Sequence, residues 1–278
     1  MVRPPLSLVY PYWHPGGRYC AFSTNKTAQM FHTANPLKRI EVYDTESDVF
    51  VYDAETRAIL CDTLIMKKDW AENTPAFSPD GRWLYFTTAQ QQDYPDNCDQ
   101  ERYSLCRVSF DESTGRIGTV VDTLINARET GKSVSWPRPS YDGRFVMYTQ
   151  ADYGYFTVWH PEADLWLLDL ERGESRAMDE INSDRSESYP SWSSNGRWIM
   201  VDSRRDDGNY TRPYIAYFDK NGKAHKPFML PQQDPNFYTF YLRSFNRPEF
   251  MIEPVTISPR EFATKAKEDA IPAKYADR

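Results

Sequence analysis

Four apolar runs in this chain each follow a tight-turn sequence and an arginine, and this pattern predicts a repeated β-hairpin. The strand before each turn is short and aromatic, and the strand after it is almost continuously apolar, as at residues 83–86. A short apolar run bounded by turn signals is typical of a strand buried between packed sheets. The four copies read His14-Pro15-Gly16-Gly17-Arg18-Tyr19, Ser78-Pro79-Asp80-Gly81-Arg82-Trp83, Ser140-Tyr141-Asp142-Gly143-Arg144-Phe145 and Ser193-Ser194-Asn195-Gly196-Arg197-Trp198.

The residues of the turn support the hairpin. In the second copy, Pro79 presets the φ angle of a type I turn, Asp80 suits the next position, and Gly81 supplies the positive φ that a three-residue hairpin with a bulge requires. The four glycines lie roughly 50 to 65 positions apart, which is the length of one propeller blade with a variable loop.

A second hairpin follows the first in the repeats. In the first copy it runs through residues 49–52, a turn at 53–56 and residues 58–61, and in the fourth it turns at Asn221-Gly222, a strong hairpin signal. Two hairpins in each repeat make a four-stranded meander, which is the unit of a β-propeller. The sequence therefore predicts an all-β fold of four-stranded antiparallel blades.

The Ser-Pro-Asp-Gly-Arg-aromatic turn, followed by an apolar strand and a hairpin containing aspartate, resembles the TolB-type WD-like propeller repeat. The resemblance extends from about Tyr10 to about Leu230 and recurs in register four times. It implies a binding scaffold of the bacterial cell envelope, in the periplasm or at the outer envelope, and it implies no reaction. Longer proteins of this type have stretches similar to residues 135–144 and 230–235.

We predict about four blades, at residues 1–70, 71–130, 131–182 and 183–235. Propellers have roughly four to eight blades, and TolB-type rings usually have more than four, so we expect this chain to be the C-terminal part of a larger ring. A complete four-bladed ring is the alternative.

Residues 236–278 depart from the repeat. Their aromatic residues, from Phe237 to Phe250, are expected to pack against the propeller. Ser258-Pro259-Arg260-Glu261 combines a capping serine, a proline at the first helical position and a glutamate at the third, and so predicts a short helix to about Ala270. We expect the last residues of the chain to fray.

Charge and hydropathy limit the partners. The formal net charge is −7, and the basic residues are scattered, which disfavours nucleic acid because such surfaces cluster lysine and arginine. No apolar run approaches the roughly 20 residues of a membrane-spanning helix, and no secretory leader is visible. We expect a protein or a glycan as partner.

Binding residues are expected on one face of the ring. Long inserts, at about 25–48, 90–102, 151–163 and 204–213, connect the second and third strands of the blades, on the face that also carries the connections between blades. Functional residues concentrate on loops above a rigid scaffold. The candidates at this rim or in the channel are His14, Trp13, Trp136, Arg138, Tyr189, His160, Arg204 and Arg205. Each has a structural alternative: interblade packing for the tryptophans, turn capping for His14, and local ion pairs for Arg204 and Arg205. The recurrent arginines after the turns are interpreted as structural braces.

No catalytic signature is present, neither a Gly-x-Ser-x-Gly elbow nor a His-Glu-x-x-His helix. No catalytic residue, metal ligand or cofactor is predicted. The alternative is an enzyme, either a metal-assisted polysaccharide lyase or hydrolase or the detached propeller of a peptidase. Its metal site would need His14, His32 and His160 to converge, and their spacing gives no support for that. A non-catalytic scaffold is the leading hypothesis.

Overall fold

The computed structural model describes residues 8–31 and 40–276, and these residues form a four-bladed β-propeller. The strands of each blade are neighbours in the chain and pair antiparallel, so the two hairpins of a repeat form one meander. The predicted fold class is confirmed, and the larger ring stays a prediction. Blade 1 contains β1 (Leu8–Trp13), β2 (Tyr19–Phe31), β3 (Ile40–Asp53) and β4 (Ala58–Leu60); blade 2 contains β5 (Trp70–Phe77), β6 (Trp83–Gln90), β7 (Ser104–Asp111) and β8 (Arg116–Ile125). Blade 3 contains β9 (Ser133–Pro139), β10 (Phe145–Ala151), β11 (Asp164–Asp169) and β12 (Glu174–Ala177); blade 4 contains β13 (Glu187–Trp192), β14 (Trp198–Ser203), β15 (Arg212–Tyr217) and β16 (Phe228–Met229).

The glycine turns join the first and second strands of every blade. In blade 2, the backbone N–H of Gly81 donates to the carbonyl of Ser78 at 2.9 Å, and Gly81 has a φ of +73°. The Ser78 hydroxyl accepts from the N–H of Trp83 at 2.9 Å and donates to Asp80 at 2.5 Å. The equivalent glycines 17, 143 and 196 also have positive φ. The turns therefore form as their sequence predicts.

Two of the four recurrent arginines brace their blades, whereas Arg82 binds Asp80 within its own turn. Arg18 forms a two-pronged contact with Asp53, with N···O distances of 3.0 and 2.7 Å, and Arg144 binds Asp169 at 2.8 Å. In both cases the aspartate ends the third strand of the same blade. The Arg18 guanidinium holds the pKa of Asp53 below its usual range. These arginines thus tie the first hairpin of a blade to its second.

Each innermost strand carries a bulge at a residue that precedes a proline. Tyr10, Thr74, Trp136 and Tyr189 have φ values of +55°, +43°, +57° and +51°, and the pairing register of their strands shifts at this point. Proline has no N–H to donate to a ladder, so a bulge is where a strand accommodates it. The four bulges place one side chain of each blade at equivalent positions of the innermost strands.

Apolar side chains fill the spaces between successive blades. Val51 of blade 1 packs in one cluster with Phe86 and Val108 of blade 2. Separate clusters join blade 2 to blade 3 and blade 3 to blade 4. Burial of such side chains stabilises by roughly 1.5 to 3 kcal/mol each, so these interfaces hold the blades in their angular order.

The first insert forms regular structure. The sequence interpretation treats residues 25–48 as a long insert between strands, whereas Asn25–Phe31 pairs with residues 40–47 as a continuation of the β2–β3 hairpin. Its register shifts once, between Lys26 and Thr27. Four consecutive residues of this ribbon, 41–44, are buried, because the ribbon packs against the inserts of other blades.

The C-terminal extension returns to blade 1. Short helices α1 (Ala127–Thr130), α2 (Phe237–Phe240) and α3 (Pro259–Lys265) occur in the described chain, and α3 has the predicted capping box between Ser258 and Glu261. The helix ends at Lys265, earlier than the expected Ala270, and its residues are exposed. A final strand, β17 (Lys274–Tyr275), then pairs in parallel with β4. The backbone N–H groups of Lys274 and Ala276 donate to the carbonyls of Arg57 and Ile59. Fraying of the last residues stays a prediction, since residues 277 and 278 lie outside the described residues.

None of the helices in the described part of the chain is both long and apolar enough to cross a membrane.

Candidate functional site

The inserts of the blades meet on one face of the propeller, which we call the insert-bearing face. It carries the connections between second and third strands and the connections between blades, while the glycine turns lie on the opposite, turn-bearing face. The backbone N–H of Gly154, in the blade 3 insert, donates to the carbonyl of Glu101, in the blade 2 insert, at 2.9 Å. The inserts thus contact one another directly.

The ribbon of blade 1 reaches the inserts of blades 2 and 3. Glu41 accepts a hydrogen bond from the Tyr153 hydroxyl at 2.7 Å and lies 3.0 Å from Nε2 of His160, both in the blade 3 insert. Tyr43 stacks on Tyr94 of the blade 2 insert, with ring centroids 4.9 Å apart. Glu41 and His160 are both buried. We call this contact between the blade 1 ribbon and the two inserts the cap.

Buried acids lie beneath the cap. Asp44 accepts hydrogen bonds from Asn25 at 2.5 Å, Asn73 at 3.0 Å and Thr27 at 2.6 Å. Burial raises the pKa of Asp44, and the three donors oppose that shift. Burial also raises the pKa of Glu101 to about 8, so this carboxyl is largely protonated at neutral pH.

Aromatic rings fill the centre of the ring of blades. Trp136 lies 4.8 Å from Tyr10, 4.5 Å from Tyr189 and 5.5 Å from Tyr155, measured between ring centroids. Trp136 is 1% exposed, and its indole Nε1 is buried with no hydrogen-bond partner among the described residues. The channel is therefore packed at this level by the side chains of the bulges.

The C-terminal extension enters this aromatic centre. The guanidinium carbon of Arg247 lies 5.8 Å from the Tyr10 centroid and 5.6 Å from the Trp136 centroid, within cation–π range. The Ser191 hydroxyl of blade 4 donates to the carbonyl of Pro248 at 2.8 Å. The extension thus lies between blade 4 and the side chains of blades 1 and 3.

A buried carboxyl faces this part of the extension. Asp202 on β14 is fully buried, and its carboxyl oxygens have no hydrogen-bond partner of ordinary geometry in residues 8–31 and 40–276. Burial raises its pKa to about 7, while the nearby backbone N–H of Arg247 and the Arg204 guanidinium oppose the shift. Asp202 is therefore partly protonated at neutral pH.

Five of the eight candidate residues lie in the channel, at the insert-bearing face or next to it. Trp136 and Tyr189 are in the channel, and His160 is in the cap. The Arg204 guanidinium lies 3.7 Å from the Trp159 centroid, and Arg205 binds Glu187 at 3.0 Å. These five side chains are mostly engaged with the protein itself.

The other three candidates lie toward the turn-bearing face, so the expected position at the insert-bearing rim is wrong for His14 and Trp13, whereas Arg138 lies in the channel near Tyr12 and Arg247. His14 is in a glycine turn, where its Nδ1 accepts from the N–H of Gly16 and its Nε2 lies 3.1 Å from the carbonyl of Gly81. Trp13 ends β1 and is 54% exposed. Arg138 lies near the end of β9, buried over the Tyr12 ring. A strand that begins at one face ends at the other, which separates these residues from the cap.

His14 and His160 do not come together. His14 and His160 lie on opposite faces, and His32 is outside the described residues. Within the described ranges, no group of three or more His, Cys, Asp or Glu side chains is arranged to hold a metal ion. The metal-dependent alternative therefore gains no support from these positions.

Several residues of the site were missed from the sequence. Glu41, Glu101, Asp202 and Arg247 are far apart in the chain, and their meeting depends on the cap and on the path of the extension. One sequence signal could have located the channel: a residue followed by proline recurs in each innermost strand.

Comparisons with known proteins concern the fold. No protein-family model matches the chain, and no curated protein matches it. Similar solved structures include TolB from Acinetobacter baumannii, with 18% identity, a TM-score of 0.44 and coverage of 80% of this chain and 46% of that chain. Prolyl oligopeptidase B from Galerina marginata has 14% identity and a TM-score of 0.47, over 82% of this chain and 27% of that chain.

The β-propeller domain of the Trilobed protease from Pyrococcus furiosus is also similar, with 15% identity and a TM-score of 0.35, over 60% of this chain and 45% of that chain. This chain thus spans less than half the length of each of these three structures. The chain is a four-bladed β-propeller, and TolB and peptidase propellers are among the solved structures that it resembles.

Proposed function

We propose that this chain is a non-catalytic scaffold that binds a protein or glycan partner at the bacterial cell envelope through its insert-bearing face. The observation that carries the proposal is the cap, in which inserts of three blades bind one another and form one braced surface. Surfaces held rigid before binding lose less conformational entropy when a partner docks. The envelope location rests on the resemblance of the repeats to TolB-type propellers.

The turn-bearing face is less suited to this role. Its glycine turns are short and similar in sequence in the four blades, and the turns between third and fourth strands are also short in blades 1 to 3, whereas the inserts differ in length and composition. Binding specificity requires residues that differ from their surroundings, and variable loops over a rigid scaffold provide them. The proposal therefore assigns the partner to the inserts.

Charge reversal on each face tests the proposal. Asp96 and Asp206 are exposed on the inserts of blades 2 and 4, and Glu171 and Glu174 are exposed on the opposite face. Bacterial envelope extracts are passed over immobilised wild-type protein, D96K/D206K and E171K/E174K. We expect the first variant to change the recovery of a partner, upward where that partner is acidic, while the second variant recovers it as the wild type does. Equal recovery by the two variants, or loss only with E171K/E174K, overturns the assignment to this face.

A further inference from the structure

A cleft of about 530 Å³ opens at the insert-bearing face beside the core between blades 1 and 2. Three chain connections form its walls. Lys67 and Trp70 come from the connection between blades 1 and 2, Arg102 from the blade 2 insert, and Arg128 from the connection between blades 2 and 3. Cys106 lies in its floor. None of the eight side chains selected from the sequence lines it.

The cleft is cationic in a chain of net negative charge. Lys67, Arg102 and Arg128 line it, and no aspartate or glutamate does. No carboxylate lies within ion-pair distance of these three side chains in residues 8–31 and 40–276. The charge of Arg18, by contrast, is compensated by Asp53. Three uncompensated cations on one concave surface attract an anionic ligand.

The Arg102 guanidinium is held in place without being neutralised. Its Nε donates to the carbonyl of Gly131 at 3.1 Å, and its Nη1 donates to the carbonyls of Asp99 and Gln100 at 3.2 and 3.0 Å. Carbonyl oxygens orient the group but carry no formal charge. The fixed guanidinium is thus prepared to bind a carboxylate, because less side-chain entropy is lost on binding.

A buried acid contacts the cleft-lining residues Lys67 and Thr88. Glu72 on β5 is fully buried and accepts a hydrogen bond from Thr88 at 3.2 Å. Burial is the largest cause that raises its pKa, to about 8, and Lys67 opposes that shift. Glu72 is therefore largely neutral at pH 7, and the charge of Lys67 remains available to a ligand.

Side-chain amides complete the lining, from Gln90, Gln92, Gln100 and Asn126. Asn126 is engaged with Arg128 and Glu129, and the amide nitrogens of Gln92 and Gln100 donate within the protein, so the Gln90 amide and the amide oxygens of Gln92 and Gln100 are the groups that face a ligand. An amide both donates and accepts hydrogen bonds, which matches the alternating N–H and C=O groups of a peptide backbone. The three cations come from three separate connections, and a ligand with several carboxylates can pair with each of them. The Trp70 ring, with Lys67 Nζ 5.1 Å from its centroid, adds an apolar surface.

We propose that this cleft binds an acidic peptide segment of a partner protein, with aspartate or glutamate side chains against Lys67, Arg102 and Arg128. The inference deepens the proposed function and rests on it, since it names the chemistry of one partner of the insert-bearing face. The side-chain amides bind the peptide backbone, and the cations select acidic sequences.

Calorimetric titration of the full chain with N-acetyl hexaglutamate tests this inference, with hexaglutamine as neutral probe and trigalacturonate and inorganic phosphate as other anions. The cleft variant is K67Q/R128Q, and the control K220Q/K226Q removes the same charge from exposed lysines of blade 4. We expect hexaglutamate to bind, K67Q/R128Q to weaken it about tenfold or more, and the control to stay within about twofold of wild type. Thermal melting verifies that both variants fold.

Other outcomes of the titrations would contradict either the location of the site or the class of its ligand. Absence of hexaglutamate binding to wild type, or equal weakening by both variants, overturns the cleft as its site. Tighter binding of trigalacturonate or phosphate overturns the peptide assignment. Failure of the proposed function itself is seen separately, in the D96K/D206K capture experiment. If capture depends on Asp96 and Asp206 but hexaglutamate does not bind, the insert-bearing face remains the proposed binding surface and the cleft is rejected as the peptide site.

Discussion

Glu41 and His160 lie 119 positions apart in the chain, yet the Glu41 carboxyl is 3.0 Å from the His160 imidazole in a fully buried contact. Glu41 lies at the start of β3 in blade 1, and His160 lies in the blade 3 insert. The contact therefore joins two blades that are not neighbours in the ring. It is the central polar link of the cap.

Breaking this link should destabilise the protein. Removing one partner leaves a buried polar group without its hydrogen bond, which costs about 1 to 3 kcal/mol. We expect H160F to lower the free energy of unfolding by about this amount and E41Q to lower it less, since the amide retains hydrogen-bonding capacity. Urea unfolding measures both. H225F, at a half-exposed histidine of blade 4, is the control. An effect of H160F no larger than that of H225F would contradict the role of the cap.

The close approach of His14 to Gly81 gives a second prediction. A Cβ at residue 81 would lie 2.2 Å from His14 Nε2, and Gly81 has a φ of +73°. Gly143 has nearly the same φ, +71°, with no atom within 4 Å of such a Cβ. Both alanine variants incur strain from positive φ, of about 1 kcal/mol or more, but only G81A also collides with His14. We expect the melting temperature to fall further for G81A than for G143A. Equal falls would show that the His14 contact adds nothing.

Arg247 should contribute to closure of the ring through its contacts with Tyr10 and Trp136. We expect R247A to lower the free energy of unfolding by about 1 to 2 kcal/mol, because packing and a cation–π contact are lost. R247K retains the charge and should lose less. Arg247 also has a φ of +53°, so R247G should recover part of the loss of R247A by relieving backbone strain. Chemical unfolding followed by tryptophan fluorescence measures all three variants, and an R247A protein as stable as wild type would refute this contribution.

The buried acids make stability depend on pH. The folded pKa values of Glu101 and Glu72, about 8, and of Asp202, about 7, lie above those of the unfolded chain, near 4. Between about pH 4 and pH 8 the folded protein therefore binds more protons than the unfolded chain, and the stability from these groups is lost as pH rises.

We expect E101Q to reduce this pH dependence and to gain stability at pH 8 relative to wild type, by on the order of 1 to 3 kcal/mol. E174Q, at an exposed site, is the control. Unfolding free energies measured from pH 5 to pH 8 provide the comparison. The same slope in E101Q and E174Q would mean that Glu101 titrates normally in the folded protein.

The amino-acid sequence by itself determined the repeated unit. Glycine, proline and aspartate define the hairpin turns through local φ preferences, and the apolar strands define blades, because both signals act over a few residues. The same locality explains why His14 as a turn cap and the capping box at Ser258 could be predicted.

Only the tertiary structure decided which residues of different blades meet. The Glu41–His160 contact, the insertion of Arg247 among the channel aromatics and the cationic cleft all join segments distant in the chain. The ribbon of blade 1 could not be recognised because part of its polar surface is covered from another blade, as Tyr153 and His160 cover Glu41. Local preferences carry no information on such long-range packing, so the blades were predictable and the surface that they support was not.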